Sequence, residues 1–246
     1  MTRNSWLVMN GYEEYQPWMS YMGDDESNWE NWVPGGTIDL GLSVRWGYAN
    51  VGVPKFDSYT VTETPIYEWY DGVHYTTGHT YTVQDNYDNW PCHNEDFYRW
   101  GDPTYSSSYS LSSYKSDDLH LIDESPLPLS NDIAYQTDGC RIPTESEWDE
   151  LFSDTDQDDV TIHGQPCCKF MRKSNHNDYI IIPYVGYYTD NGWVDDHHYY
   201  WTSESDRVGI DWRDREPYAY CYCVYHGEVP SKERYYGLPV RGVKDD

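Results

Sequence analysis

One stretch limits the architecture more than any other. Residues 141 to 152, RIPTESEWDELF, spell out the start of a helix, and nearly everything after them reads as strand. Pro143 stands ahead of Thr144 and Glu147 follows three residues later, the pairing of a capping box with Thr144 as N-cap. Trp148, Leu151 and Phe152 fall at i, i+3 and i+4, which makes one apolar face. Glu145 and Glu147 occupy the first turn, where the helix dipole favours acid. These charges therefore cap and solvate a helix, and the remaining Arg141 is expected to pair with a carboxylate. Downstream, CCKFMR, DYIIIPYVGYYT, GWV, YYWTS and YAYCYCVYH are rich in β-branched and aromatic residues. TDNGWV supplies an Asn191-Gly192 hairpin signal. In YAYCYCVY, alternation predicts Tyr220, Tyr222 and Val224 on one face, with Cys221, Cys223 and Tyr225 on the other. Few helices followed by many short strands, with no βαβ rhythm, predict an α+β protein with a mostly antiparallel sheet and two short helices.

The first half of the chain is less regular. Residues 1–36 are rich in Trp, Tyr, Asn and acid without a clear period, and read as an N-terminal extension, a docking or oligomer-forming arm. TIDLGLSVRWGYANVG (37–52) alternates and turns at Gly41, Gly47 and Gly52, which suits short strands. Residues 56–96 form a polar, aromatic-rich insertion, and within it IYEWYDGVHYTT is a hairpin turning at Asp71-Gly72. SSSYSLSSYKSDD (106–118) reads as a low-complexity loop, and a second helix is expected over LPLSNDIAYQT from Ser130.

Charge and composition exclude several functions. Sixteen basic residues against 43 acidic ones leave a formal net charge of −27 over 246 residues, the wrong sign for nucleic acid or an anionic membrane surface. No run of apolar residues is long enough for a membrane-spanning helix. The start, MTRNSWLVMNGYEEY, lacks the apolar core of a signal peptide, so the chain is expected to fold in a cytoplasm unless a leader has been removed. The six Cys show no metal spacing and read as mostly free thiols. DTDQDD (154–159) is an acidic turn rather than a calcium loop, because Asp159 stands where an EF-hand needs Gly. His197 and His198, adjacent on an extended segment, would point opposite ways and so not share a metal. No nucleophile elbow, P-loop or dinucleotide fingerprint is present. No catalytic residue, metal or cofactor is expected. What stands out instead is 27 Tyr and 12 Trp against 4 Phe, rings with polar handles that suit recognition.

Seven blocks occur in order: TIDLGLSVRWGYANVG, FYRWGDPT, LPLSNDIAY, CRIPTESEWDELF, DYIIIPYVGYY, YYWTSES and YYGLPVRGV. Together they resemble the family called the Fibrobacter succinogenes major paralogous domain of Bacteroidetes, with its DLGLxVxWA…NVG opening and R[ML]PTxxEW helix. The resemblance runs over roughly residues 37–243, interrupted by the insertion. It departs at QTDGCR, where Cys140 takes the place of a Trp. The resemblance implies a C-type-lectin-like fold of the formylglycine-generating-enzyme subtype, so that residues 37–246 form one domain behind the arm. Variable proteins of diversity-generating retroelements share that fold and bind ligands on an aromatic face near the C-terminus. By that analogy the ligand face here comprises Trp193, His197, His198, Tyr199, Asp211, Trp212, Arg213, Tyr218 and Tyr225. The implied function is non-enzymatic: a phage virion adhesin, tail-fibre or decoration component for host attachment. Its partners would be a bacterial surface glycan or protein receptor and, through the arm, other virion proteins or further copies of the chain. The alternatives are a bacterial cell-surface ligand-binding protein, or an oxidase of the formylglycine-generating type using Cys221 and Cys223.

Overall fold

The computed structural model describes residues 36–52, 57–62, 67–70, 73–76, 80–85, 96–162, 165–195, 197–206 and 217–245. The N-terminal extension, apart from residue 36, lies outside the described residues, as do Cys92, Asp211, Trp212, Arg213 and the Asp71-Gly72 turn. The chain divides into two compact units. Described residues 57–62, 67–70, 73–76 and 80–85 belong to the first, and all others to the second.

Along the chain, β1 (Thr37–Ile38) and β2 (Arg45–Asn50) precede four strands of the first unit: β3 (Asp57–Thr62), β4 (Tyr67–Tyr70), β5 (Val73–Thr76) and β6 (Thr80–Asp85). Three helices follow, α1 (Leu111–Ser116), α2 (Ile133–Asp138) and α3 (Glu145–Asp154), with 3₁₀ turns at Leu119–Leu121 and Leu129–Asn131. The remaining strands are β7 (Thr155–Ile162), β8 (Gln165–Arg172), β9 (Asn175–Pro183), β10 (Tyr187–Thr189), β11 (Gly192–Val194), β12 (Tyr199–Asp206), β13 (Tyr218–Cys223), β14 (Ser231–Glu233) and β15 (Arg241–Lys244). The described strands form small antiparallel sheets: β1-β2-β15, β7-β8-β9 and β12-β13-β14, with the hairpins β10-β11, β4-β5 and the pair β3-β6. This is an α+β architecture of few helices and small antiparallel sheets. No described helix is long and apolar enough to cross a membrane.

The helix α3 forms as its sequence dictates. Thr144 accepts from the Glu147 N–H at 3.3 Å, and the Glu147 carboxylate accepts from the Thr144 N–H at 2.8 Å, closing the capping box. Arg141 makes a two-pronged pair with Glu147 (2.9 and 2.6 Å) and also reaches Asp245 at 2.7 Å. The buried face of α3 presents Trp148, which stacks on Tyr222 at 5.2 Å, meets Trp46 edge-on at 4.8 Å and tilts against Tyr200 at 5.7 Å. Phe152 extends that cluster to Phe170 and Tyr222, both at 5.0 Å.

The sheet of β12 and β13 is covered on both faces. Tyr200 and Tyr222 point to the ring cluster under α3, whereas Tyr199, Trp201, Ala219, Cys221 and Cys223 enter a second core with Trp100, Ile133, Leu238 and Val240. That is why YYW and YAYCYCV read as nearly continuous apolar runs, and why Tyr222 and Cys221, on opposite faces, are both buried. Buried polar bonds stitch the layers together. Asn50 donates to the Tyr200 hydroxyl at 3.1 Å, and Tyr200 donates to the Pro183 carbonyl at 2.9 Å. The Trp100 and Trp201 indoles donate to the Thr202 and Tyr98 carbonyls at 2.9 and 2.6 Å.

Three expectations need correction. The stretch 106–118 is not all loop, because Ser110 caps α1 by accepting from the Ser113 N–H, and Tyr114 buries its ring and donates to the Trp100 carbonyl at 2.7 Å. The turn between β10 and β11 is Asp190-Asn191, since Thr189 pairs with Gly192. The positive φ, 109°, sits on that glycine as it opens β11, a conformation that costs a residue without Cβ little. DTDQDD is no turn: it is the end of α3 and the start of β7, a strand paired with β8 along Thr155–Ile162.

At the start of α2, Asp132 is buried and serves three backbone donors. One oxygen accepts from Ala134 and Tyr135 at 2.9 and 3.3 Å, and the other from Ile142 at 2.8 Å. Burial pushes its carboxyl up to about 6, against the downward pull of those bonds. A raised acid favours the folded state when protonated, so its stabilising contribution is full below about pH 4 and is lost as pH rises through about 6. Urea melts of wild type and Asp132→Asn should therefore show the difference moving toward the wild type by roughly 2–3 kcal/mol between pH 7 and pH 4. A difference that stays flat over that range would place Asp132 in the ordinary acid range.

Candidate functional site

The chain between β11 and β12 does something uncommon. His197 and His198 both have positive φ, 56° and 49°. Left-handed backbone costs an L-residue roughly 1–2 kcal/mol each, so two in succession must be held in place. The restraint comes from the end of β13: the Cys223 thiol donates to the His197 carbonyl at 2.7 Å, and the Val224 N–H donates to the His198 carbonyl at 3.2 Å. The His198 ring meets the Val185 carbonyl at 3.3 Å through Nδ1. An extended segment would send the two imidazoles apart, and this left-handed pair instead brings both into one cluster.

That cluster contains six rings. His198 stacks on Tyr184 at 5.1 Å and lies edge-on to Tyr225 at 6.2 Å. Tyr225 meets Tyr184 at 5.5 Å and His226 at 4.7 Å. His226 leads to His197 at 5.9 Å, and His197 stacks almost parallel on Tyr199 at 5.7 Å. Exposure separates the members: Tyr225 is 59 % exposed while Tyr199 is only 7 % exposed. His197 and His226 are exposed; Tyr184 and His198 are half-buried. Tyr199 thus forms the floor, with Lys232 Nζ 4.3 Å from its ring centroid. The Tyr184 hydroxyl donates to Asp159 at 2.7 Å, which anchors one wall. Such a patch offers flat rings for stacking and imidazole and phenol groups for hydrogen bonds.

The predicted face is only partly gathered here. His197, His198, Tyr199 and Tyr225 meet. Trp193 is 44 % exposed but packs in a separate group, edge-on to Phe97 at 5.2 Å and Tyr188 at 5.1 Å. Tyr218 opens β13, whose far end is Cys223, so at about 3.3 Å per residue roughly 17 Å of strand stands between it and the cluster. Its hydroxyl lies 3.4 Å from Glu233. Asp211, Trp212 and Arg213 lie outside the described residues. Sequence reasoning missed Tyr184 and His226. The signal for His226 was its place beside Tyr225 just before Gly227, whereas Tyr184 looked like the tail of an apolar strand.

Cys221 and Cys223 are buried, and burial raises both thiols above their ordinary range. Cys221 donates to the Pro230 carbonyl at 3.4 Å. Cys140 and Cys168 are likewise pushed up by burial, to about 11 and about 12. Among the described residues, no three His, Cys, Asp or Glu side chains are placed to hold a metal ion. Compared with family models, curated proteins and solved structures, the chain has no significant match in any of the three.

Proposed function

We propose that this chain is a non-enzymatic recognition protein with a C-type-lectin-like fold of the formylglycine-generating-enzyme subtype. It acts as a phage virion component that contacts a glycan or protein on a bacterial surface. The observation that carries this reading is the strained His197-His198 pair, which holds exposed Tyr225 and His226 beside Tyr184. Strain of that kind persists where it positions side chains for a ligand. The thiols of β13 support binding over oxidation: held protonated in the core, they are poor nucleophiles and poor copper ligands, and Cys223 already serves His197. The virion setting rests on the resemblance and on the acidic charge of −27.

A glycan and whole-cell binding array with the purified chain tests this. Tyr225→Ala should weaken capture at least tenfold, while unfolding free energy stays within about 0.5 kcal/mol of wild type, as expected of an exposed residue. Capture that survives in Tyr225→Ala and His198→Ala alike would place the ligand elsewhere.

A further inference from the structure

A cleft that shares no residue with that ring cluster opens between the Ser/Tyr stretch before α1 and the β10-β11 hairpin, and the geometry points to a binding site there for a neutral saccharide. The cleft is about 490 Å³, and its walls include Tyr105, Ser107, Ser108, Tyr109, Tyr188 and Asp190. That volume falls within the roughly 300–1,000 Å³ of small-molecule sites.

The floor is fixed before any ligand arrives. Tyr109 stacks on Tyr188 at 5.1 Å with 12° between the planes, and its hydroxyl donates to the Phe97 carbonyl at 3.1 Å. Gly237 gives Tyr109 its seat, because a Cβ there would come within 2.3 Å of the ring. Tyr188 is tied to the same glycine by two backbone bonds of 2.8 and 2.9 Å. The rim is different. Tyr105 is 57 % exposed and touches Tyr98 edge-on at 6.5 Å. An exposed ring that lines the same cleft as a stacked pair of rings is suited to the apolar face of a pyranose.

The polar groups select the chemistry. Ser107 and Ser108 are exposed, and hydroxyls of the loop already form a chain, Ser108 to Ser110 at 3.5 Å and Ser110 to Ser112 at 3.2 Å. Hydroxyls both donate and accept, which matches the hydroxyl pattern of a sugar. The exposed Asp190 adds an acceptor. None of the described residues lining the cleft is cationic, so an anionic sugar would meet a carboxylate with nothing to neutralise it. Tyr and Ser alternation is also the composition of adaptable recognition loops.

The experiment is titration calorimetry, with saturation-transfer NMR as a second readout, on the full chain. The probes are glucose, galactose, mannose, N-acetylglucosamine and their disaccharides at millimolar concentrations, with glucuronic acid as the charged control. At least one neutral sugar should bind saturably. Tyr105→Ala should weaken it tenfold or more with unchanged circular dichroism. Absence of saturable binding by every neutral sugar, equal binding of glucuronic acid, or full affinity in Tyr105→Ala would each overturn the assignment. Loss in Tyr225→Ala but not in Tyr105→Ala would put the sugar at the ring cluster, sinking the cleft while leaving the proposed function standing.

Discussion

Trp148→Ala is expected to cost roughly 3–5 kcal/mol of unfolding free energy, a large share of the roughly 5–15 kcal/mol that holds a native domain folded. Trp148 is fully buried, and its ring touches Trp46 of β2, Tyr200 of β12 and Tyr222 of β13 at once. Truncation removes the transfer free energy of the indole and leaves a cavity among aromatic neighbours. Those neighbours are themselves held by hydrogen bonds, Tyr200 to Pro183 at 2.9 Å and Tyr222 to Asp149 at 3.2 Å, so they cannot collapse into the gap. Trp148→Phe keeps a ring against Tyr222 and should cost only about 1–2 kcal/mol. Urea denaturation of the three proteins gives the comparison. An alanine variant within about 1 kcal/mol of wild type would show that α3 is peripheral to the core.

The second large effect concerns a buried cation. Arg241 is fully buried in β15, where it donates to the Gly47 carbonyl of β2 at 3.2 Å and to the Ile181 carbonyl of β9 at 2.8 Å. It therefore ties the β1-β2-β15 sheet to the β7-β8-β9 sheet through two backbone acceptors. Arg241→Ala would leave both carbonyls without that donor and open a hole the length of the side chain. At about 1–3 kcal/mol for each orphaned group, with the cavity added, the loss should be about 4 kcal/mol or more. Arg241→Lys is the informative control. A lysine has one compact head where arginine has a fork, so it can serve one carbonyl well but not both, and should recover only part of the loss. Full recovery by lysine would mean that the charge or the stem, rather than the two-pronged geometry, is what matters.

Much of the framework was legible because local chemistry and tertiary packing agree there. The Thr144 and Glu147 cap, the apolar face of α3 and the antiparallel strands after it follow from spacing alone. The burial of Trp148 follows from the same helical spacing. Legibility failed where a neighbour distant in sequence decides the outcome. Alternation in YAYCYCV separates two faces but cannot tell that both are covered, by α3 on one side and by Trp100 and Leu238 on the other. Ser/Tyr repetition hid α1, whose helix depends on Tyr114 finding the Trp100 carbonyl. The ring cluster was legible in membership more than in shape. His197, His198, Tyr199 and Tyr225 could be named as aromatic or polar rings in the C-terminal third. Their convergence depends on left-handed backbone at two histidines, which an extended reading of the segment does not anticipate, and on Cys223 donating across from β13.

We propose that a strained histidine pair on a rigid core presents a ring cluster that grips a bacterial surface ligand without altering it. NMR tests it most directly, by following the imidazole signals of His197, His198 and His226 and the ring signals of Tyr184 and Tyr225. The chain is titrated with whichever surface glycan or protein the binding array selects. The expected result is saturable shifts centred on those five residues, with the ligand recovered chemically intact. Shifts that spare all five, or a ligand returned oxidised or cleaved, would contradict it.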